Sequence, residues 1–137
     1  MQRDDGLVAE VRDWLHKAAE DLRAGRHELK ASPPLTADAV FHAQQAAEKA
    51  IKAFLAWHSQ VFRKTHDLLE LGEAGARIQP RLAPVLRRAA PLTEFAWLFR
   101  YPSGAADPTS EEATQSLETA GEVVEAVLKE LPPEVHP

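Results

Sequence analysis

Apolar residues recur every three or four positions through long stretches of this 137-residue chain, and this spacing constrains its fold more than any other feature. Such a spacing places the apolar side chains along one side of an α-helix. The first stretch contains Val8, Val11, Leu15, Ala18 and Leu22, and the last contains Ala113, Leu117, Ala120, Val124, Val127 and Leu131. The alternation typical of β-strands is absent. The sequence therefore predicts an all-α fold, an antiparallel up-and-down bundle of four to five helices.

Local signals predict where the other helices begin and end. The second long helix is predicted from about Ala37 to His58, with Thr36 as its N-cap. Eight of its residues are alanines, whose small side chains favour a helix and let a neighbour approach closely, so we expect this helix to be buried. A short helix beginning at Asp67 is expected to stop at Gly72. Pro80 and Pro84 each suit a helix start, so short or kinked helices are expected up to about Ala90, and Pro91 is expected to begin another.

Length and composition fit one globular domain over residues 1–137. Its helical core is predicted over about residues 8–131, and residues 132–137 are predicted to form a frayed tail. The chain has no cysteine, which excludes disulfides and thiolate metal sites and fits a cytoplasmic protein. We expect no membrane span, no secretion signal, no metal and no cofactor.

The formal charge of −5 is distributed unevenly. Residues 49–100 carry a net charge of +5, whereas residues 1–48 carry −3 and residues 101–137 carry −7. Overall acidity argues against a dedicated duplex-binding protein, whose affinity depends on neutralising phosphates. The positive centre reflects either charges scattered over solvated helix faces or a site for a phosphate or an acidic partner.

Polar side chains form a separate stripe on the alanine-rich helix. His42, Gln45, Lys49 and Lys52 follow one another at steps of three and four, so they share one face, with Glu48 beside them. A stripe of this kind can be an ordinary solvated surface. Because the helix is expected to be central, the stripe is also a candidate lining for a cleft in which the lysines bind phosphate.

Two shorter segments supply further candidate residues. Thr65 and His66 follow two cations at a predicted helix start, where free N–H groups favour anions, although capping and packing would equally explain them. Arg100 and Tyr101 precede a proline and combine a planar cation with an aromatic ring. Arg100 would serve equally well to bind the last carbonyl groups of its own helix.

Together these segments resemble the HEPN family (higher eukaryotes and prokaryotes nucleotide-binding). The segment from Phe41 to Leu55, FHAQQAAEKAIKAFL, is similar to the signature helix of the family, and Lys64 to Leu68 and Arg100 to Pro102 are similar to its two other motifs, in the same order. The resemblance covers about residues 8–131. It implies a helical bundle that usually forms a homodimer. It also implies a minimal nucleotidyltransferase encoded beside it, with which such proteins can form a toxin–antitoxin pair.

Many members of this family are ribonucleases that carry an arginine followed, after four to six residues, by a histidine. No such pair exists in this chain: Arg12 and Arg23 precede a histidine by three intervening residues and Arg63 by two. The resemblance therefore favours the non-catalytic, nucleotide-binding branch, with no catalytic residue assigned. Two alternatives remain: a metal-independent ribonuclease that acts on RNA through residues such as His66, and a purely structural dimerisation subunit.

Eight residues are thus candidate nucleotide ligands, and we expect the cations among them to converge on one water-accessible hollow. The phosphate candidates are Lys49, Lys52 and Arg100, the base or sugar candidates are Gln45, His66 and Tyr101, and His42 and Thr65 complete the set. A homodimer is also expected from the large aromatic residues, which are numerous for a bundle of this size and are Trp14, Trp57, Trp97, Phe41 and Phe62.

Overall fold

Helices and their connections make up the whole computed structural model, which describes residues 4–102 and 104–137 and contains no strand within them. The α-helices are α1 (Asp5–Leu29), α2 (Thr36–Trp57), α3 (Leu68–Ile78), α4 (Ala83–Ala89), α5 (Leu92–Leu98) and α6 (Ser110–Lys129), and short 3₁₀ helices occupy Pro80–Leu82 and Pro133–Val135. The predicted all-α antiparallel bundle is confirmed. Each helix within the described residues is too short or too polar to span a lipid bilayer.

The two longest helices, α1 and α2, form an antiparallel hairpin against which α6 packs. Asp21, late in α1, contacts His42, early in α2. At Gly25 the three helices approach so closely that an added Cβ atom would lie 2.6 Å from Leu117 Cδ2 of α6 and 3.3 Å from the Ala39 carbonyl oxygen of α2. Such a close approach is possible only where one residue has no side chain.

Helix α2 lies at the centre of the bundle and contacts α1, α3, α5 and α6. Its alanines from Ala39 to Ala53 are all completely buried, which confirms the prediction that their small side chains mark a buried helix. Its start differs from the prediction. Thr36 is the first helical residue and is buried, and the N-cap is Leu35, which makes no side-chain hydrogen bond.

The segment between α2 and α3 runs back along α2, so that His66 lies beside Glu48. Helix α3 then continues through Gly72 to Ile78, and the predicted stop at Gly72 is wrong. Gly72 packs against α4, since a Cβ atom there would lie 3.4 Å from Leu86 Cβ. A glycine inside a helix costs about 1 kcal/mol relative to alanine, which tertiary contacts offset here.

Helices α4 and α5 are separated only by residues 90–91. The short helices predicted after Pro80 and up to Ala90 are confirmed. Two ion pairs show that α4 is antiparallel to α6: Arg81, just before α4, pairs with Glu130, just after α6, and Arg88 of α4 pairs with Glu122 of α6.

The tail is ordered against the bundle, and the prediction that it frays is wrong. Val135 is completely buried. The Arg12 side chain donates a hydrogen bond to the Glu134 carbonyl oxygen, and His136 Nε2 lies 2.9 Å from the Leu128 carbonyl oxygen. The buried Val135 and these hydrogen bonds hold the last residues on α1 and α6.

The aromatic residues expected at a dimer interface are all partly buried: Trp14, Phe41, Trp57, Phe62 and Trp97. Within the described residues, the exposed large apolar side chains are Leu35, Val61, Leu69, Leu98 and Tyr101. The homodimer therefore remains a prediction, and its surface would have to be built from the second set as well as the first.

Candidate functional site

A buried carboxylate of α1 organises the first half of the polar stripe on α2. Asp21 Oδ1 accepts a hydrogen bond from His42 Nδ1 at 2.8 Å, and Asp21 Oδ2 accepts one from Lys49 Nζ at 2.6 Å. Burial alone would raise the pKa of Asp21, but these hydrogen bonds outweigh it and hold the pKa below its usual value. Asp21, Glu28, His42 and Lys49 are referred to as the Asp21 cluster.

The second nitrogen of His42 faces another carboxylate of α1. His42 Nε2 lies 3.1 Å from Glu28 Oε1, at an angle outside that of a hydrogen bond, so that this buried oxygen is unsatisfied among the described residues. The hydrogen bond to Asp21 raises the pKa of His42 and outweighs its burial. Burial raises the pKa of Glu28; the charge of His42 opposes this, and the Asp38 carboxyl adds to it. His42 therefore clamps α1 to α2.

A carboxylate of α2 itself organises the second half of the stripe. Glu48 Oε2 accepts a hydrogen bond from Lys52 Nζ at 2.9 Å, and Glu48 Oε1 accepts one from His66 Nδ1, also at 2.9 Å. Gln44 Nε2 donates to the same Oε1 at 3.1 Å, and Gln45 lies at the rim of the group. Gln44, Gln45, Glu48, Lys52 and His66 are referred to as the Glu48 cluster.

Lys52 is deeply embedded in this second cluster. Only 9% of its side chain is exposed, and its ammonium group lies 5.7 Å from the centre of the Trp14 ring and 5.8 Å from that of Phe62. Two aromatic faces and one carboxylate therefore compensate the buried charge. In this state Lys52 does not offer its charge directly to water.

The backbone of His66 is bound by side chains of α2 and α5, whereas its own side chain is open to solvent. Its carbonyl oxygen accepts hydrogen bonds from Gln44 Nε2 of α2 at 3.0 Å and from the Thr93 hydroxyl of α5 at 3.4 Å. Its side chain remains 61% exposed. Because a carboxylate can only accept, Nδ1 carries the proton shared with Glu48, and in the neutral ring Nε2 is the free base. A histidine oriented by a carboxylate in this way can bind a polar ligand or transfer a proton.

Arg100, which follows α5, lies near the start of α2, at the opposite end of the stripe from Lys52. Arg100 donates a hydrogen bond from Nη1 to Asp38 Oδ1 at 3.3 Å, and its guanidinium lies 4.1 Å from the centre of the Phe41 ring. Both partners of this ion pair are substantially exposed, at 41% and 50%. Exposed pairs of this kind contribute about 0–1 kcal/mol, so a competing anion can displace Asp38.

Aromatic rings join the two clusters. The Phe41 ring contacts the rings of His42 and Trp97 edge to face, with centres 6.1 Å and 5.5 Å apart, and the Trp97 and His66 rings are 5.9 Å apart. Helix α5 thus brings Trp97 between the two histidines. The result is a continuous series of contacts from Arg100 through Phe41 and Trp97 to His66, with Lys52 buried behind Glu48.

The eight predicted residues are brought to this surface to different degrees. The three predicted phosphate ligands do not meet at one point: Asp38, which binds Arg100, precedes Lys49 by about 16 Å along the helix axis, and Lys52 lies one turn further. Thr65 is used locally, since its hydroxyl accepts a hydrogen bond from the Asp67 N–H. Tyr101 is 68% exposed next to Arg100.

The sequence did not identify three of the residues that shape the site. Asp21 is only 9% exposed, although a charged residue on a helix usually lies on its solvated face. A signal existed, since Asp21 lies three residues after Ala18 and beside Leu22, at the edge of the apolar stripe. Glu28 and Trp97 gave no such signal, because their roles depend on which helices become neighbours.

The Asp21 cluster predicts a stability that changes with pH. Because the pKa of His42 is raised, its contribution to the free energy of unfolding is complete below about pH 6.5, the pKa of an unfolded histidine, and is lost as the pH rises through the folded value. The lowered pKa of Asp21 gives a contribution that is present above about pH 3.9 and is lost as the pH falls through the folded value.

Replacing His42 by glutamine is expected to remove the decrease in the free energy of unfolding at alkaline pH, which is on the order of 1 kcal/mol. Urea unfolding at pH values from about 5 to about 9 measures it. The control is His16→Gln, because the His16 side chain is 64% exposed in a surface pair with Glu20. Parallel pH profiles for the wild type and His42→Gln would show that the clamp does not titrate in this way.

Comparison with known proteins identifies the family. A model of the HEPN domain matches residues 11–131, which include α2, the His66 segment and Arg100. No curated protein and no solved structure shows significant similarity to the chain. Because the matched region covers most of the sequence and contains every residue of both clusters, the resemblance found in the motifs is confirmed, and the chain belongs to the HEPN domain family.

Proposed function

We propose that this protein is a nucleotide-binding HEPN module without catalytic residues of its own. The observation that supports this most directly is the continuous polar and aromatic surface along α2. It joins Arg100, the Asp21 cluster and the Glu48 cluster through the rings of Phe41 and Trp97. A nucleotide presents an anionic phosphate, a polar sugar and an aromatic base, and a surface with cations beside aromatic rings is complementary to all three.

Arg100 is the principal phosphate ligand in this proposal. Its guanidinium is oriented by Phe41, and its bond to Asp38 is long and exposed. A planar guanidinium binds phosphate oxygens bidentately, so exchanging Asp38 for a phosphate strengthens the contact. Tyr101, largely exposed beside Arg100, supplies a ring on which a base can stack.

Lys49 and Lys52 take different parts, because both are already paired. The Lys49 side chain is 23% exposed and can reach a phosphate while Asp21 keeps its bond to His42. Lys52 is buried next to Glu48 and adds positive charge to the site from there. Its hydrogen bond also fixes the Glu48 carboxylate, which in turn binds His66. His66 and Gln45, at the open edge of the Glu48 cluster, are the ligands for base or sugar.

Calorimetric titration with ATP, AMP and GTP tests the binding. The variant Arg100→Gln is expected to weaken nucleotide binding by about tenfold, in keeping with the loss of a charge-assisted hydrogen bond. Arg88→Gln is the matched control, because Arg88 pairs with Glu122 of α6, outside the proposed site. No heat at millimolar nucleotide, or equal affinities for the two variants, would contradict the proposal.

A ribonuclease is the second candidate function, and the geometry of His66 favours it. Glu48 fixes the Nδ1 side of the ring while most of the side chain is exposed, the arrangement required of a general base that activates a 2′-hydroxyl group. Cleavage of a fluorogenic RNA by the wild type but not by His66→Ala would favour this function. Intact RNA together with nucleotide binding would favour the non-catalytic module.

The partner of the module follows from the family resemblance. We propose that it forms a homodimer and acts with a minimal nucleotidyltransferase in a toxin–antitoxin-like pair. The neighbouring reading frame is expected to encode that enzyme, and the two proteins are expected to co-elute. If the chain serves only for dimerisation, sedimentation will show a dimer, and neither nucleotide nor nucleotidyltransferase will bind.

A further inference from the structure

An open groove lies between α3 and α4, separate from the surface on α2. The two helices approach closely where Gly72 and Gly75 face Leu86, since an added Cβ atom would lie 3.4 Å and 3.3 Å from atoms of that side chain. Beside this contact the groove encloses about 330 Å³ and has a mainly apolar lining that includes Leu68, Ala76 and Leu86. Its volume is in the range of cavities that bind small molecules.

The rim of the groove carries two cations that no carboxylate neutralises within residues 4–102 and 104–137. These are Arg77 of α3 and Arg87 of α4. The neighbouring Arg88 is paired with Glu122 of α6, and Arg81 with Glu130, the residue that follows α6. The arginines on this side are thus neutralised, whereas those that line the groove remain available to a ligand.

Two further residues of the lining define the complementary ligand. Leu69 is 51% exposed, which leaves a large apolar side chain at the edge of the groove. Glu73 is the carboxylate of the rim, so the rim keeps a net positive charge with Arg77 and Arg87. An apolar lining with a cationic rim suits a molecule that has an apolar body and one negative group.

We propose that this groove binds a small amphiphilic carboxylate of the fatty-acid type. The apolar chain lies along α3 and α4 over Ala76 and Leu86, and the carboxylate is held by Arg77 and Arg87. A guanidinium binds a carboxylate bidentately, which fixes the end of the ligand, while the apolar surface supplies the affinity. The site is independent of the proposed nucleotide surface, so either can fail without the other.

Three probes of equal chain length test the proposal: decanoate, decanol and decyltrimethylammonium, each below its aggregation concentration. Binding is followed by NMR through the amide signals of Gly72 and Gly75, with Gly6 and Gly25 of α1 as references. Decanoate is expected to shift the first two signals, decanol to shift them more weakly, and the cation least. Equal responses to the three probes would overturn the role of the arginines.

Charge variants provide the matched comparison. The double variant Arg77→Gln/Arg87→Gln is expected to weaken decanoate binding about three- to tenfold, the range for two exposed ion pairs. Arg81→Gln/Arg88→Gln, whose side chains pair with α6, is expected to leave it unchanged. If the first double variant does not fold, Glu73→Gln replaces it and is expected to strengthen binding about twofold.

One outcome would assign the groove to a different occupant. If the wild type sediments as a dimer and decanoate neither shifts the Gly72 and Gly75 signals nor dissociates the dimer, the groove is covered by a second copy and the proposal is wrong. A monomer whose two signals remain unchanged by decanoate would equally overturn it.

Discussion

Replacing Glu48 by glutamine is expected to lower the free energy of unfolding by about 3–5 kcal/mol, the cost of leaving a buried charge without its partner. The Lys52 ammonium group is held by Glu48 Oε2 with only 9% of its side chain exposed, so it cannot exchange the lost carboxylate for water. The same change frees His66, whose Nδ1 is bound to Glu48 Oε1. Urea unfolding measures the loss.

Two further variants separate this effect from the general loss of a surface charge. Glu122→Gln removes the partner of Arg88 in an exposed pair and is expected to cost less than about 1 kcal/mol. Combining Glu48→Gln with Lys52→Met is expected to recover most of the stability, because no buried charge remains unpaired. If the single and double variants at this site are equally unstable, packing rather than charge explains the loss.

Replacing Ala47 by leucine is expected to destabilise the protein by about 2–3 kcal/mol through overpacking. Ala47 is completely buried on a helix that contacts α1, α3, α5 and α6. Leucine is nearly as good a helix former as alanine, so the helix itself would tolerate the change. The loss therefore reports the close approach of neighbouring helices and is measured by thermal or urea unfolding.

The same substitution at a partly buried alanine of α2 is the control. Ala56→Leu, near the end of the helix, is expected to change the stability by less than about 0.5 kcal/mol. Equal effects at the two positions would mean that the alanines of α2 serve helix propensity and not helix packing.

The same side chains along α2 contribute to the stability of the fold and to the proposed binding of a nucleotide. An anion that enters the proposed site must exchange with a carboxylate already present, and the ease of exchange follows from burial. Asp38 releases Arg100 most easily, Asp21 holds Lys49 at 2.6 Å, and the Glu48–Lys52 pair is almost completely buried. Nucleotide affinity is therefore expected to be most sensitive to Arg100, and folding stability to Glu48.

Most of the local structure was accessible from the sequence. The apolar spacing of α1 and α6 and the alanines of α2 each describe a helix with one buried side, and the prolines near residues 80 and 91 mark the short helices correctly. The errors at Gly72 and Thr36 share one cause. A glycine normally ends a helix and a threonine normally caps one, but here Gly72 lies against Leu86 of α4 and Thr36 is buried, and neighbours brought by the fold are not visible in local sequence.

The sequence by itself determined the helices, the polar stripe on α2 and the family, because periodicity and motifs are properties of residues close together in the chain. Only the tertiary structure decided which charges neutralise one another. Asp21 meets Lys49 and Glu48 meets His66 because the α1–α2 hairpin and the returning segment bring them within hydrogen-bond distance. Charges attract strongly at such short range and in such poorly solvated surroundings, so the chemistry of the stripe depends on helix packing that its own spacing does not encode.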